Sequence, residues 1–153
     1  MTIGESMQIS VKSFGELGVD ELYEILKLRV DVFVVEQKCP YPEIDGKDRD
    51  SYHVIIRDEE GIAAYARVLE PGLSFKEASI GRVITRMDKR GSGLGAQLMQ
   101  ESIRVARTHF DTPGIRIEAQ VYARGFYERQ GFVKSSDEFL DDGIPHIEMY
   151  LEL

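Results

Sequence analysis

The sequence predicts one layered domain, α/β or α+β, built on a mixed sheet. Three observations carry that expectation. Several stretches alternate apolar and polar residues with a period near two, and two others repeat apolar residues at helical spacing. The two kinds interleave along the 153 residues in the order β-α-loop-β-β-β-α-β-α-β-β. A chain of this length buries about two thirds of its unfolded surface around one core, and neither an internal repeat nor a linker divides it, so residues 1 to 153 read as a single domain.

Met7 to Phe14 places Ile9 and Val11 in period-two alternation, the pattern of a first strand, and GELGVD after it supplies turn and helix-start residues. Asp20 suits an N-cap, and Leu22, Ile25, Leu26, Arg29, Val32 and Phe33 then share one helical face to about Glu36. CPYPEIDGKDRD, with two prolines, a glycine and several acids, reads as a loop. Tyr52 to Arg57 and Ile62 to Leu69 flank the polar turn DEEG and predict a hairpin. Glu77 to Thr85 is a further strand, and Gly91, Gly93 and Gly95 open a helix carrying Leu94, Leu98, Ile103 and Val105 to about Phe110. Ile115 to Ala119 is a short β-branched strand, and Tyr122 to Arg129 suits a helix ending at Gly131. Phe132 to Ser135 and His146 to Leu151 complete the strands.

Composition narrows the function classes. A formal charge of −8 repels nucleic acid and anionic lipid over most of the surface, and no long run of Lys and Arg opposes it. The short basic group Arg82, Arg86, Lys89 and Arg90 straddles the glycines, where a small anion is a better guess than a DNA groove. No window approaches the roughly 18 apolar residues of a membrane span, and MTIGESMQIS lacks the basic start and apolar stretch of a secretory leader, so a cytoplasmic protein is expected. Cys39 stands alone and no Cys/His spacing suggests zinc, so neither a disulfide nor a metal is expected.

The chemistry centres on Arg90-Gly91-Ser92-Gly93-Leu94-Gly95, where a strand feeds a helix. Glycines let backbone N–H groups approach a diphosphate, and the helix N-terminus adds its positive dipole end. Taken alone this loose pattern is common, and a second reading is a flexible connection whose glycines serve turn geometry only. A P-loop is excluded because Ala96 and Gln97 follow Gly95 where Lys and Ser or Thr are needed, and a dinucleotide motif because the spacing is GxGxG after antiparallel hairpins.

Arg90 to Gly95 resembles the Q/R-x-x-G-x-G/A signature of the GNAT N-acetyltransferase superfamily, and Gly125 to Phe132 (GFYERQGF) is similar to its later F-Y-x-x-x-G-F block. LRVDVFVVEQKCPYPEIDGKD and LDDGIPHIEM extend the resemblance to the ElaA-like branch over nearly the whole chain. The resemblance implies a GNAT-like, mostly antiparallel twisted sheet flanked by helices, with splayed central strands. It implies that Val83, Ile84 and Thr85 pair through their backbone with the pantetheine arm of acetyl-CoA. Gly91, Ser92, Gly93, Leu94, Gly95 and Ala96 would then offer amides to the pyrophosphate, with Arg90 nearby to offset charge. Many members carry Asn seven residues before the tyrosine of the second block; Gln120 stands there here, one methylene longer.

Acetyl transfer to an amine needs a base, an N–H donor and an acid for the departing thiolate. Tyr127, matched to the family tyrosine, is the candidate acid; an aromatic residue on a short helix is otherwise more often core. Glu118, on the strand expected to open beside the coenzyme, is the candidate base, with Glu36, His53 and His146 as rivals that would serve equally as structural groups. Cys39 as a covalent acetyl carrier is set aside for want of a neighbouring base. The resulting expectation is direct transfer of acetyl to a small-molecule or peptide primary amine. The alternative is a non-catalytic acyl-CoA-binding or partner-binding module. The acidic loop around Glu43, Asp45, Asp48 and Asp50 is read either as steering a cationic amine or as merely solvated, and exposed sheet edges leave a homodimer open.

Overall fold

The structure, a computed structural model, describes residues 7–153; the first six positions, on which part of the leader reading rests, lie outside the described residues. In chain order it contains β1 (Gln8–Ser13), α1 (Val19–Val30), β2 (Ser51–Asp58), β3 (Gly61–Leu69), β4 (Ser79–Thr85) and α2 (Leu94–His109). There follow β5 (Gly114–Gln120), α3 (Arg124–Arg129), β6 (Val133–Lys134), β7 (Phe139–Asp141) and β8 (Ile144–Glu152). β1 to β4 pair antiparallel in sequential order, and β5, β8 and β6 form a second antiparallel group, with β7 also on β8. This is the layered arrangement that the alternating patterns predict, with the mostly antiparallel pairing that the family resemblance implies.

Period-two alternation on the central hairpin divides two cores. Val54, Ile56, Ala64 and Ala66 pack toward α2, where Leu94, Leu98, Met99, Ile103 and Ala106 return at three- and four-residue spacing. The intervening Ile55 and Tyr65 face α1 and meet Ile25, Leu17 and Leu28. With helices covering both faces, β3 is buried from Ile62 to Leu69.

Three expectations change. The N-cap of α1 is Gly18, and Asp20 lies in the first turn with Glu21, where negative charge complements the helix dipole without capping. The helical run does reach Glu36, but residues 31–36 widen into a π-helical turn, with Gln37 N–H bonded to Val32 O at 3.2 Å. Residues 139–141, assigned to no strand from the sequence, form one arm of a hairpin with β8. Asp142 and Gly143 (φ 49° and 78°) make the tight turn, and Asp-Gly tolerates the left-handed backbone such hairpins need.

β4 and β5 lie side by side only where they begin. Ala78 and Ile115 form a parallel bridge, with Arg116 N–H donating to Ala78 O at 3.0 Å. Beyond it β4 pairs with β3 and β5 with β8, so the two strands diverge into a fork. The splay of the central strands implied by the family resemblance is therefore present. Backbone groups along the inner edges of such a fork lack a neighbouring strand, which suits them to pairing with an extended ligand.

Candidate active site

The glycine turn follows β4 directly. Gly91 and Gly93 take left-handed backbone (φ 80° and 85°), and a side chain added at either would meet nothing within 4 Å, so their peptide groups front open space. Gly93 caps α2 without a side-chain hydrogen bond, and Gln97 N–H bonds to Gly93 O at 3.3 Å. An α-helix gives its first N–H groups no partner one turn back, so Leu94, Gly95 and Ala96 present amides at the mouth of the helix. That donor set fits an anion such as a diphosphate. Gly95 is tight: a Cβ there would sit 3.4 Å from both Phe126 Cε1 and Thr85 Oγ1, seating the turn against α3 and the end of β4.

Not every group singled out in this segment is free. Ser92 N–H bonds to Lys89 O at 3.3 Å, and the Ser92 hydroxyl donates to the same carbonyl. Arg90 gives two hydrogen bonds to Glu36 at 3.0 and 3.1 Å and one to Thr85 O at 2.9 Å. Arg86 is held by Asp58 and Asp88, and Arg82 by Glu43. The basic group read from the sequence as an anion patch is thus largely neutralised by carboxylates, leaving backbone amides as the principal anion donors.

On β4 the pairing with β3 slips between Tyr65 and Arg67, opposite Arg82, whose φ of 52° is left-handed. Holding a non-glycine residue there costs about 1–3 kcal/mol, sustained by the bonds that clamp its guanidinium. Val83 follows on the wall of the fork cavity, Ile84 is buried opposite Tyr65, and Thr85 pairs with Ala64. The Thr85 carbonyl is the one Arg90 binds.

Glu118, Gln120 and Tyr127 line one cavity in the fork, together with Val83, Tyr122 and His146. The turn joining β5 to α3 carries Tyr127 back over the β5 end, where its ring meets Phe126 and Phe132 edge-on at centroid separations of 5.1 and 5.9 Å. Burial pushes its phenol well above the ordinary range, with Tyr122 adding to the shift, so Tyr127 holds its proton at neutral pH. Glu118 opens into the cavity, yet the surrounding walls strip part of its hydration and Asp141 lies nearby; the two effects, in that order, raise its carboxyl above the usual value. Gln120 exchanges hydrogen bonds with Gln37 at 3.3 and 3.5 Å, which fixes its amide on the cavity wall. His146 bonds through Nδ1 to Ile144 O at 2.7 Å, stacks on Phe139 and lines the cavity. Asp141, missed from the sequence, reaches this wall on the β7–β8 hairpin; the Asp-Asp-Gly turn was the signal that would have found it.

Two rivals are engaged by other groups and line neither cavity. Glu36 is bound by Arg90, and His53 is fully buried between Tyr65 Oη (2.6 Å) and Asp48 O (2.9 Å), with burial holding its pKa down. Cys39 is buried, with Sγ 3.6 Å from Asp142 O.

Three of the four acids of the loop are bound by arginines, and only Asp50 stays exposed without an ion pair among the described residues. Glu43 and Asp48 are buried beneath α1, and with Asp45 they meet Arg29, Arg67 and Arg82, three carboxylates against three guanidinium groups. Arg29, counted among the apolar face of α1, is the hub: Nε bonds Glu43 Oε2 at 2.7 Å and Nη1 bonds Asp48 Oδ1 at 2.5 Å. Arg67 is almost wholly buried, and its Nε is the one buried side-chain nitrogen or oxygen without a partner among the described residues. Among these residues no group of three or more His, Cys, Asp or Glu is placed to hold a metal ion, and no helix is long and apolar enough to cross a membrane.

A fork between β4 and β5, a bulge on one arm and an uncapped helix mouth at its end define an acyl-CoA-dependent acyltransferase architecture. The model of the acetyltransferase (GNAT) domain matches residues 17–153, and the chain belongs to that family. Within it the chain falls in the ElaA-like branch: it is 39% identical to ElaA of Escherichia coli over 140 residues, 90% of this chain and 92% of that one. A UPF0039 protein of Schizosaccharomyces pombe is 41% identical over 150 residues, 97% of this chain and 99% of its own. Among solved structures, an acyl-CoA N-acyltransferase from Pseudomonas aeruginosa matches with TM-score 0.87 and 40% identity, covering 95% of this chain and 99% of that one. The crystal structure of E. coli ElaA matches with TM-score 0.89 and 36% identity at the same coverage.

Proposed function

We propose that the protein is a cytoplasmic N-acetyltransferase that moves an acetyl group from acetyl-CoA directly to a primary amine while both are bound. The observation that carries the reading is that Glu118 and Tyr127, from opposite sides of the β5–α3 turn, line one cavity in the fork whose other wall is the Val83 segment of β4. Acetyl-CoA would supply the acyl group as a thioester. The amides of Gly93 to Ala96 would hold its diphosphate, and the β4 edge at Val83 and Ile84 its pantetheine arm. Glu118, with its raised carboxyl, suits removal of the ammonium proton through water, leaving the nitrogen lone pair free to attack the acetyl carbonyl carbon. Tyr127 Oη carries a proton at working pH and suits delivery of it to the departing sulfur. The second proton of the attacking nitrogen leaves as the amide forms, so one proton is released overall. Asp88, bound by Arg86, suits the role of base less well, because that hydrogen bond lowers its affinity for a proton.

Calorimetry with acetyl-CoA, followed by a thiol-release assay over a panel of primary amines, tests the reading. Binding and CoA release above background hydrolysis are expected. Absence of binding at millimolar acetyl-CoA overturns it, and binding without release over background would leave only a coenzyme-binding module.

A further inference from the structure

Resting on that reading, we propose that the acceptor is a free amino acid, held as a zwitterion in the second cavity of the fork. This cavity shares Glu118, Asp141, His146 and the β4 segment Ile80 to Arg82 with the first, and extends from them to Lys47, Arg67, Ser74 and Ser79.

Its two ends carry opposite charges left unmatched within the protein. Neither Glu118 nor Asp141 has a basic group within ion-pair distance among the described residues, although nearby Glu43, Asp45 and Asp48 are all bound by arginines. Lys47 faces the same cavity, and its Nζ meets only Ser74 Oγ, at 2.8 Å, with no carboxylate in contact. Lys47 is close enough for Glu118 to feel its charge, yet no ion pair joins them, so the cavity keeps the two signs apart. Arg67 lines the Lys47 end, and its Nε–H is the buried donor without an acceptor. A partner that carries both signs makes a charge-assisted contact at each end at once.

A molecule with an ammonium and a carboxylate does so. Its ammonium lies at Glu118 and Asp141, where deprotonation is needed, and its carboxylate at Lys47 and the Ser74 hydroxyl. A simple amine satisfies only the acidic end, and a peptide N-terminus has a neutral amide where the carboxylate belongs. Phe75 and Leu69 on the remaining wall offer apolar contact to a side chain.

The test is a thiol-release assay on matched sets: an L-amino acid, its α-carboxamide and the amine lacking the carboxyl group. The amino acid is expected to exceed both in kcat/KM by about tenfold or more, the worth of one charge-assisted contact. Lys47→Met should bring the ratio of amino-acid to carboxamide kcat/KM close to one, chiefly through KM for the amino acid, and weaken calorimetric binding of the amino acid. Lys47→Arg should restore much of both. A carboxamide or simple amine used as well as the amino acid, or a preference that survives Lys47→Met, overturns the inference and leaves acetyl transfer standing. No CoA release with any member overturns both.

Discussion

Arg29 Nε lies 2.7 Å from Glu43 Oε2 beneath the first helix, and this guanidinium is completely shielded from water. The same side chain binds Asp48, so one cation holds the start and end of the loop that walls both cavities. Arg29→Met would leave Glu43 and Asp48 buried with one partner fewer. The expected loss is about 3 kcal/mol, the lower end of the penalty for breaking a buried ion pair, since Arg82 and Arg67 still hold the two acids. Urea unfolding measures it, and a loss below about 1 kcal/mol would show that the loop can hydrate its acids on its own.

Glu118→Gln should lower kcat/KM by about a hundredfold or more, the usual worth of a general base. The pH profile adds a second readout. Wild-type activity should rise with pH as Glu118 loses its proton, and burial places this acidic limb above the ordinary glutamate value. Asp141→Asn removes the neighbouring negative charge and should move the limb to lower pH. An unmoved limb in Asp141→Asn would assign it to another group.

Tyr127→Phe keeps the ring packing against Phe126 and Phe132 and deletes only the hydroxyl. Turnover is expected to fall about a hundredfold while the calorimetric affinity for acetyl-CoA stays within about twofold. Equal losses in both would make the residue part of coenzyme binding.

Gly93→Ala adds a methyl group where nothing lies within 4 Å, so crowding is absent, but it forces alanine to a φ of 85°. A left-handed L-residue costs about 1–2 kcal/mol. Either stability falls by that amount or the helix mouth shifts and acetyl-CoA affinity drops; thermal unfolding and calorimetry separate the two.

Acid stability follows from the pairing of carboxylates. Arg86 holds Asp58 at about 2, and hydrogen bonds from Arg67 outweigh burial to keep Asp45 below the usual range. Both pKa values are lower folded than unfolded. Their contribution is complete above the unfolded carboxylate value of about 4 and is lost as pH falls toward the folded values. Unfolding monitored from pH 5 to 2 should therefore begin below about pH 4, and Asp58→Asn should flatten that slope.

The residues alone settled the order of elements, except for the short strand at 139–141, and which face of each is buried. Ile55 and Tyr65 against Val54 and Ile56, or Leu94, Leu98 and Ala106 along α2, are read from periodicity because one-sided burial leaves a repeating trace in the chain. The glycine turn was equally legible, since Gly91 and Gly93 mark left-handed backbone wherever they fall. Tertiary structure alone decided which charges were spoken for. Arg29 looked like an interruption in an apolar stripe and Glu43 like a solvated loop acid, yet they meet inside; Asp141 came to lie near Glu118 through a short hairpin further along the chain. Local pattern reports how much water a residue sees on average, whereas the partner of a charge is fixed by chain segments that fold together from far apart, and no spacing rule records that meeting.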